Sequence, residues 1–252
     1  MSKMIAILQS NYLPWKGYFD LIDSVDEFVL LDSVQFTKND WRNRNRIKTP
    51  NGAAWLTIPI QRAGKFGQRI DEAEVADQRW ARRHWRTLAQ NYARAPYFRR
   101  YADELEHAYL EAACETHLST INRRFLDLVC CWLGIGTRIT SSDHLRETPR
   151  ADIRAACSTD HDARVERLIK ICHLTRATHY VTGPRARGYL DTRQFEAAGI
   201  KVTFFDYSGY PEYPQRHPPF VHQVSALDMV LNMGPGSASL RWNARVHEAS
   251  CR

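Results

Sequence analysis

Near its start the chain reads Met4-Ile5-Ala6-Ile7-Leu8, and the polar residues Gln9-Ser10-Asn11 follow at once. A short apolar run that ends in polar residues is typical of a buried strand followed by a loop. Working outward, residues 17–24 predict a short helix and residues 27–32, Glu-Phe-Val-Leu-Leu-Asp, predict a second buried strand. Strand, loop, helix and strand in this order indicate a parallel sheet with crossover connections.

The rest of the chain extends the α/β pattern. Residues 54–60 predict a further strand, and helical spacing of Trp80, His84, Leu88 and Tyr92 marks a helical stretch over about 77–134. Strands and helices then alternate, with strands predicted at 138–141, 179–182 and 201–207 and helices at 160–174, 192–198 and 225–232. We expect a single α/β domain over 1–252, with 77–134 as a helical insertion and 207–252 as a loop-rich C-terminal part.

Composition narrows the class of protein. The net charge of +7 indicates an anionic partner or a solvated basic face, and arginines gather at 41–46, 79–100 and 146–154. No apolar run is long enough for a membrane span, and no cleavage site follows the first strand. None of the six cysteines forms a C-x-x-C pair, so we expect free thiols, a cytoplasmic location and no metal site. No familiar nucleic-acid motif is present, and no pattern indicates an oligomeric state.

The first loop carries the first candidate site. Ligands of open parallel sheets bind at the carboxyl ends of strands, where Gln9 and Tyr12 follow the first strand. Gly17 would let a ligand approach the backbone, and the aromatic residues Trp15 and Tyr18 are either site or core. The helix that follows would offer backbone N–H groups to an anion.

The second strand ends at Asp32, at the same expected sheet edge. A carboxylate there would accept a proton, bind a hydroxyl or amine, or cap a turn. Gln35 and Lys38 follow it as candidate substrate contacts.

Two further segments are candidate anion sites. Arg44, with Asn43 and Asn45, is the best anion clamp, and a plain surface run is the alternative. After a later strand, Gly183 permits a tight turn that Pro184 continues, and Arg185 would reach an anion; a simple strand-to-helix turn is the alternative.

Three side chains elsewhere complete the candidates. His84 is either a base or a packed helix histidine, and Tyr213 and Gln215 suit a sugar or nucleobase or pack the last helix. Ser225 reads as the N-cap of that helix, with Asp228 completing a capping box. A triad within 141–144 lacks a nucleophile elbow and is disfavoured.

The sequence resembles the WbqC-like family over nearly its full length. The first and most specific part of the match is Gln9, Tyr12, Pro14, Gly17-Tyr18-Phe19, Asp32-x-x-Gln35-Phe36, Trp41-x-Asn43-Arg44-Asn45-x-Ile47 and Trp55-Leu56-Thr57-x-Pro59. Later matches are Trp80, His84, Tyr92, Ala95-Pro96, Tyr180-x-x-Gly183-Pro184, Tyr213-Pro214-Gln215, Phe220 and Ser225-x-x-Asp228. Ser10 stands where the family usually has proline. The resemblance implies a role in O-antigen or natural-product pathways, as tailoring of a small molecule or sugar.

A second resemblance concerns the fold. Pro14 to Tyr18 and the strand after it look like the start of nucleotidylyltransferases of the H-x-G-H type, a set with a Rossmann-like (HUP-like) sheet. Trp15 and Tyr18 occupy the two histidine positions, which removes the cationic donors that adenylyl transfer uses. This likeness implies a HUP-like fold, with ATP or another nucleotide as the cofactor it would suggest, more than it implies that activity.

Together these patterns predict a transferase or ligase acting on an amino- or hydroxyl-bearing small-molecule substrate, such as an aminosugar, with an anionic, nucleotide-linked donor. Gln9 and Tyr12 would orient the substrate, Asp32 would bind or deprotonate its amine, and Arg44 and Arg185 would hold the anion. The alternatives are a nucleotide- or RNA-binding protein without catalysis and an accessory subunit of a glycan pathway.

Overall fold

A computed structural model describes residues 2–145 and 161–240. The chain divides into two compact units. The sheet unit comprises Met1–Ser10, Leu21–Gln35 and Thr137–Ser208. The helix–hairpin unit comprises Asn11–Asp20, Phe36–Gly136 and the chain from Gly209 onward.

The sheet unit is built on five parallel strands. They are β1 (Met4–Leu8), β2 (Glu27–Leu30), β5 (Arg138–Ser141), β6 (His179–Thr182) and β7 (Lys201–Phe204), in the order β5-β2-β1-β6-β7. Ile5 and Ala6 of the central strand are wholly buried, which fits a strand covered on both faces. The predicted α/β class with a parallel, Rossmann-like sheet is confirmed.

Helices cover this sheet with apolar side chains. The helix α5 (His161–Leu174) and the short helix α6 (Thr192–Ala197) contribute Val165, Leu168 and Phe195 to one core cluster. Ile5 and Ile7 of β1 belong to the same cluster. Asp191 caps α6 by accepting a hydrogen bond from the Arg193 backbone N–H at 3.1 Å.

The helix–hairpin unit contains the predicted helical stretch. Its helices are α2 (Trp80–Tyr92), α3 (Phe98–Ala112), α4 (Leu118–Leu133) and α7 (Ala226–Met233). The apolar spacing on α2 buries Trp80, His84, Leu88 and Tyr92 along one face, as the periodicity predicts. Gly134 ends α4 in the left-handed conformation at φ 66°, where a side chain would be strained. The first helix, α1 (Lys16–Asp23), begins in this unit and ends in the sheet unit.

A two-stranded antiparallel hairpin completes the helix–hairpin unit and departs from the sequence prediction. It joins β3 (Arg44–Thr49) to β4 (Gly52–Thr57). The prediction of a buried strand at 54–60 is wrong in its bounds, since β4 ends at Thr57 and alternates between covered and exposed residues. The prediction omitted β3, because its polar sequence Arg-Asn-Arg-Ile-Lys-Thr lacks an apolar run.

Several predictions lie partly outside the described residues. They are the arginine cluster at 146–154, Cys157 and Cys251, and the start of the helix predicted at 160. Within the described residues, Cys114, Cys130, Cys131 and Cys172 are free thiols. No helix in residues 2–145 and 161–240 is both long and apolar enough to cross a membrane. The single-domain organisation stays a prediction.

Candidate functional site

In the sheet unit, the carboxyl ends of β1 and β2 bring the first two predicted polar segments together. The Ser10 backbone N–H donates to Asp32 Oδ1 at 2.7 Å, and the Leu31 N–H donates to the Leu8 carbonyl at 2.8 Å. Asp32 is 3% exposed, so its carboxylate is a buried acceptor at the sheet edge. This bond ties the loop after β1 to the end of β2, and Gln9 lies next to it at the end of β1.

The third predicted segment follows β6, the neighbour of β1 on its other side. Pro184 begins a short 3-10 helix, Pro184–Gly188, and Arg185 is exposed on it. The predicted turn does follow Gly183, but it does not depend on glycine, because the φ of −70° and ψ of 159° at Gly183 are open to any residue. A Cβ there would meet the Tyr207 ring at an ordinary 3.6 Å.

The order of the strands makes this edge a switch point. The strand that follows β1 in the chain, β2, pairs with one edge of β1. The later strand β6 pairs with the other edge of β1. Crevices for ligands open where neighbouring connections leave in opposite directions. Gln9 and Ser10 follow β1 and Arg185 follows β6, the two strands that flank this point, and Asp32 follows the next strand, β2.

In the helix–hairpin unit, Tyr12 and His84 do meet, but inside the protein. The Tyr12 hydroxyl lies 2.9 Å from His84 Nδ1 and 2.6 Å from the Tyr109 hydroxyl. Tyr12 is 0% exposed and His84 is 7% exposed. Burial lowers the pKa of His84 to about 4, against a smaller raising effect of a hydrogen bond to the Thr57 backbone. His84 is therefore neutral at pH 7, with the nitrogen that faces Thr57 protonated and Nδ1 accepting from Tyr12.

The first-loop residues Trp15, Gly17 and Tyr18 are packed rather than open. A Cβ on Gly17 would stand 2.4 Å from the indole of Trp15. The expectation that Gly17 leaves room for a ligand is therefore wrong, because Trp15 fills that space. Tyr18 is 3% exposed, and Trp15 packs edge-on against Tyr210 at 5.7 Å between centroids.

Tyr213 and Gln215 converge on a buried carboxylate that the sequence reading assigned to a helix cap. Asp228 Oδ1 accepts from the Tyr213 hydroxyl at 2.7 Å and from the Gln215 side-chain amide at 2.8 Å. Its Oδ2 accepts from the Tyr92 hydroxyl at 2.8 Å. The capping-box prediction is therefore wrong for Asp228, whereas the N-cap is confirmed, since the Ser225 hydroxyl accepts from the Leu227 N–H at 3.2 Å.

Lys16 lies beside this network and is absent from the predicted site residues. Its ammonium is 5.1 to 5.5 Å from three ring centroids, those of Tyr210, Tyr213 and Phe220. It donates to the Pro211 carbonyl at 3.3 Å and is 5% exposed. Burial lowers the pKa of Lys16 to about 8, although the nearby Asp228 carboxylate opposes this. The sequence feature that marks both residues is a single charged side chain, Lys16 or Asp228, inside an otherwise apolar segment, which indicates a buried charge with a partner.

The side chains of the predicted anion clamp at the start of β3 do not lie together. Asn43 is buried and donates to the Ile58 carbonyl at 2.8 Å, and Asn45 is buried and donates to the Leu13 carbonyl at 2.7 Å. Both asparagines thus hold the backbone of the unit together. Arg44 is on the other face, where its guanidinium carbon lies 4.2 Å from the Trp55 ring centroid. Gln35 and Lys38 are exposed in the segment after β2.

Comparison with known proteins gives the chain a family. The model of the WbqC-like protein family matches residues 9–239. A protein of Mycobacterium tuberculosis with the name "Uncharacterized protein Rv1507c" is 47% identical over 232 residues, which are 92% of this chain and 94% of that protein. No solved structure matches the chain. With its motifs, its parallel sheet and this match over most of its length, the chain belongs to the WbqC-like family.

Proposed function

We propose that the chain is a transferase or ligase that binds an anionic, nucleotide-linked donor at the carboxyl edge of its parallel sheet. The observation that carries the proposal is the switch point between β1 and β6, with polar residues at both strand ends. Open α/β sheets bind their ligands, nucleotides among them, in the crevice at this position, and this holds for enzymes that catalyse different reactions. Arg185 supplies the cation, because it is exposed and immediately follows the turn after β6.

In the proposed reaction, Asp32 binds the substrate that receives the transferred group. Its carboxylate is buried, ends β2 and is oriented by the Ser10 N–H. A fixed carboxylate beside a donor site binds the amine or hydroxyl of an acceptor and takes its proton as the new bond to the transferred group forms, while the bond between that group and the donor's nucleotide breaks and the nucleotide leaves with the bonding electron pair. The acceptor class is therefore an amine- or hydroxyl-bearing small molecule.

The first test is a thermal-shift screen with ATP, other nucleoside triphosphates and nucleoside diphosphate sugars. A donor present at ~100 times its Kd stabilises the fold by roughly 2.7 kcal/mol. Calorimetry on the best hit then compares Arg185→Ala with Arg193→Ala. Arg193 is an arginine of the same unit whose side chain is 86% exposed and forms an ion pair with its neighbour Asp191. The proposal expects loss of binding in Arg185→Ala alone; equal affinities in the two variants would refute it.

The second test addresses Asp32. Asp32→Asn keeps the side-chain volume and an oxygen that accepts from Ser10 N–H, so the fold is preserved. The variant should bind the donor as the wild type does and lose transfer to the amine or hydroxyl acceptor. Full transfer in Asp32→Asn would remove the carboxylate from the mechanism.

A further inference from the structure

The outward face of the β3–β4 hairpin carries a cluster of two arginines and two tryptophans. Along β3 the pleat buries Asn45 and Ile47, at 3% and 1% exposure, and so turns Arg44 and Arg46 to the opposite face. Trp55 of β4 pairs directly with Arg46 in the strand register. We call Trp41, Arg44, Arg46 and Trp55 the guanidinium–indole cluster.

The cluster is packed by stacking of cations on rings. The guanidinium carbon of Arg44 lies 4.2 Å from the Trp55 centroid, and that of Arg46 lies 5.6 Å from the same centroid and 6.0 Å from the Trp41 centroid. The two indoles are 5.3 Å apart and tilted by 40°. Trp55 is still 45% exposed, so the cluster faces solvent. Stacking of this kind fixes the planes of the guanidinium groups before any ligand arrives.

Among the residues that the structure describes, neither guanidinium group has a hydrogen-bond acceptor or an ion-pair partner. Within residues 2–145 and 161–240, no carboxylate forms an ion pair with Arg44 or Arg46, and their Nε atoms are buried without a hydrogen-bond partner. The acidic side chain of this segment, Asp40, forms an ion pair with Arg42 at 3.5 Å and accepts from the Trp41 N–H at 2.7 Å, and Arg44 acts on it only through its charge, which helps to lower the pKa of Asp40.

Such an arrangement is uncommon unless a ligand completes it. Most buried polar groups in native proteins have a partner, and an arginine keeps its charge at all ordinary pH values. Two adjacent, pre-oriented planar forks match the oxygens of a phosphate or diphosphate group, to which arginine donates in pairs. Asn43 and Asn45 do not take part, because both donate to backbone carbonyls in the interior.

We propose that Arg44 and Arg46 form a clamp for the phosphate or diphosphate group of a small molecule, held in shape by Trp41 and Trp55. The four residues that form this clamp all belong to the helix–hairpin unit. This proposal stands whether or not the chain catalyses transfer. The second arm of the clamp is Arg46, not the asparagines on either side of Arg44.

The test is calorimetric titration of the full chain with inorganic pyrophosphate, and in a parallel experiment with inorganic phosphate. Arg44→Ala and Arg46→Ala should each weaken pyrophosphate binding at least roughly tenfold, as expected for loss of a charge-assisted pair of hydrogen bonds. Arg44→Lys should restore only part of the affinity, since lysine keeps the charge and loses the fork. Arg82→Ala is the matched control: Arg82 is an exposed arginine on α2 of the same unit.

Several results would overturn the clamp. One is equal loss in Arg82→Ala, and another is full affinity in the double variant Arg44→Lys, Arg46→Lys; both would mean that only net charge matters. Loss in Arg185→Ala with none in Arg44→Ala would assign pyrophosphate to the sheet edge alone. Much tighter binding of a single-stranded oligonucleotide, with a steep salt dependence, would make the face a nucleic-acid surface instead. Thermal unfolding of each variant checks that the fold is intact. We expect it to be intact, because all four cluster residues keep at least part of their surface in solvent.

Discussion

Replacing Asp228 by alanine should cost the helix–hairpin unit a large part of its stability. The carboxylate is 0% exposed and accepts three side-chain hydrogen bonds, from Tyr92, Tyr213 and Gln215. Hydrogen bonds to a charged group contribute about 1.5–3 kcal/mol each, and the alanine variant would leave the two buried hydroxyls of Tyr92 and Tyr213 without this acceptor, while the Gln215 amide keeps the Val221 carbonyl. Part of this loss of stability is offset, because the variant no longer buries a charge.

The net loss should be about 3–5 kcal/mol, from two hydrogen bonds to a charged acceptor at about 1.5–3 kcal/mol each, less that offset. For a chain of this size that is a fall in Tm of roughly 6–20 °C. Asp228→Asn should be milder, since the amide oxygen still accepts from Tyr213 and Gln215, while its NH2 group replaces the oxygen that accepts from Tyr92.

Urea unfolding followed by both tryptophan fluorescence and circular dichroism measures the difference and tests for a single transition. Asp103→Ala on α3 is the control, because Asp103 is an exposed acid of the same unit and its loss should fall within about 0.5 kcal/mol. A loss in Asp228→Ala below about 1 kcal/mol, or equal to that of Asp103→Ala, would refute the account of this network.

Other consequences follow from buried groups and from two glycines. Because burial lowers the pKa of Lys16 from 10.5 to about 8, the unfolded chain binds more protons in this range, and stability should rise from pH 8 to 10.5 in the wild type but not in Lys16→Met. Because the pKa of His84 falls from 6.5 to about 4, stability should drop as pH falls through this window, and His84→Gln should flatten that part of the urea-unfolding profile. Gly17→Ala should lower Tm, since its Cβ would stand 2.4 Å from the Trp15 ring, whereas Gly183→Ala, with its nearest contact at 3.6 Å, should melt like the wild type.

The parallel sheet can be predicted well from the sequence, because each of its strands is marked by neighbouring residues. The apolar runs of β1, β2 and β6 are largely buried and bounded by polar residues, which periodicity detects directly, whereas the edge strand β7 is only partly buried. The sequence also placed Asp32 beside the loop after β1, because parallel strands end at one edge.

The remaining features depend on contacts between distant residues. The strand β3 is polar and gains its place through pairing with β4, so no apolar pattern marks it. Asp228 lies 136 residues from Tyr92, and Lys16 lies 195 residues from Pro211, distances over which spacing carries no information. Gly17 was interpreted as an opening for a ligand, because the sequence does not show that Trp15 folds back over it.

Hydrogen–deuterium exchange with and without the best-binding nucleotide donor tests the central claim most directly, because it reports where the ligand lies. The account predicts added protection in peptides that span the ends of β1, β2 and β6, at Gln9–Ser10, Asp32–Ser33 and Gly183–Gly188. Arg185→Ala should abolish this protection. Protection confined to other segments, with none at the three strand ends, would contradict a donor site at the edge of the sheet.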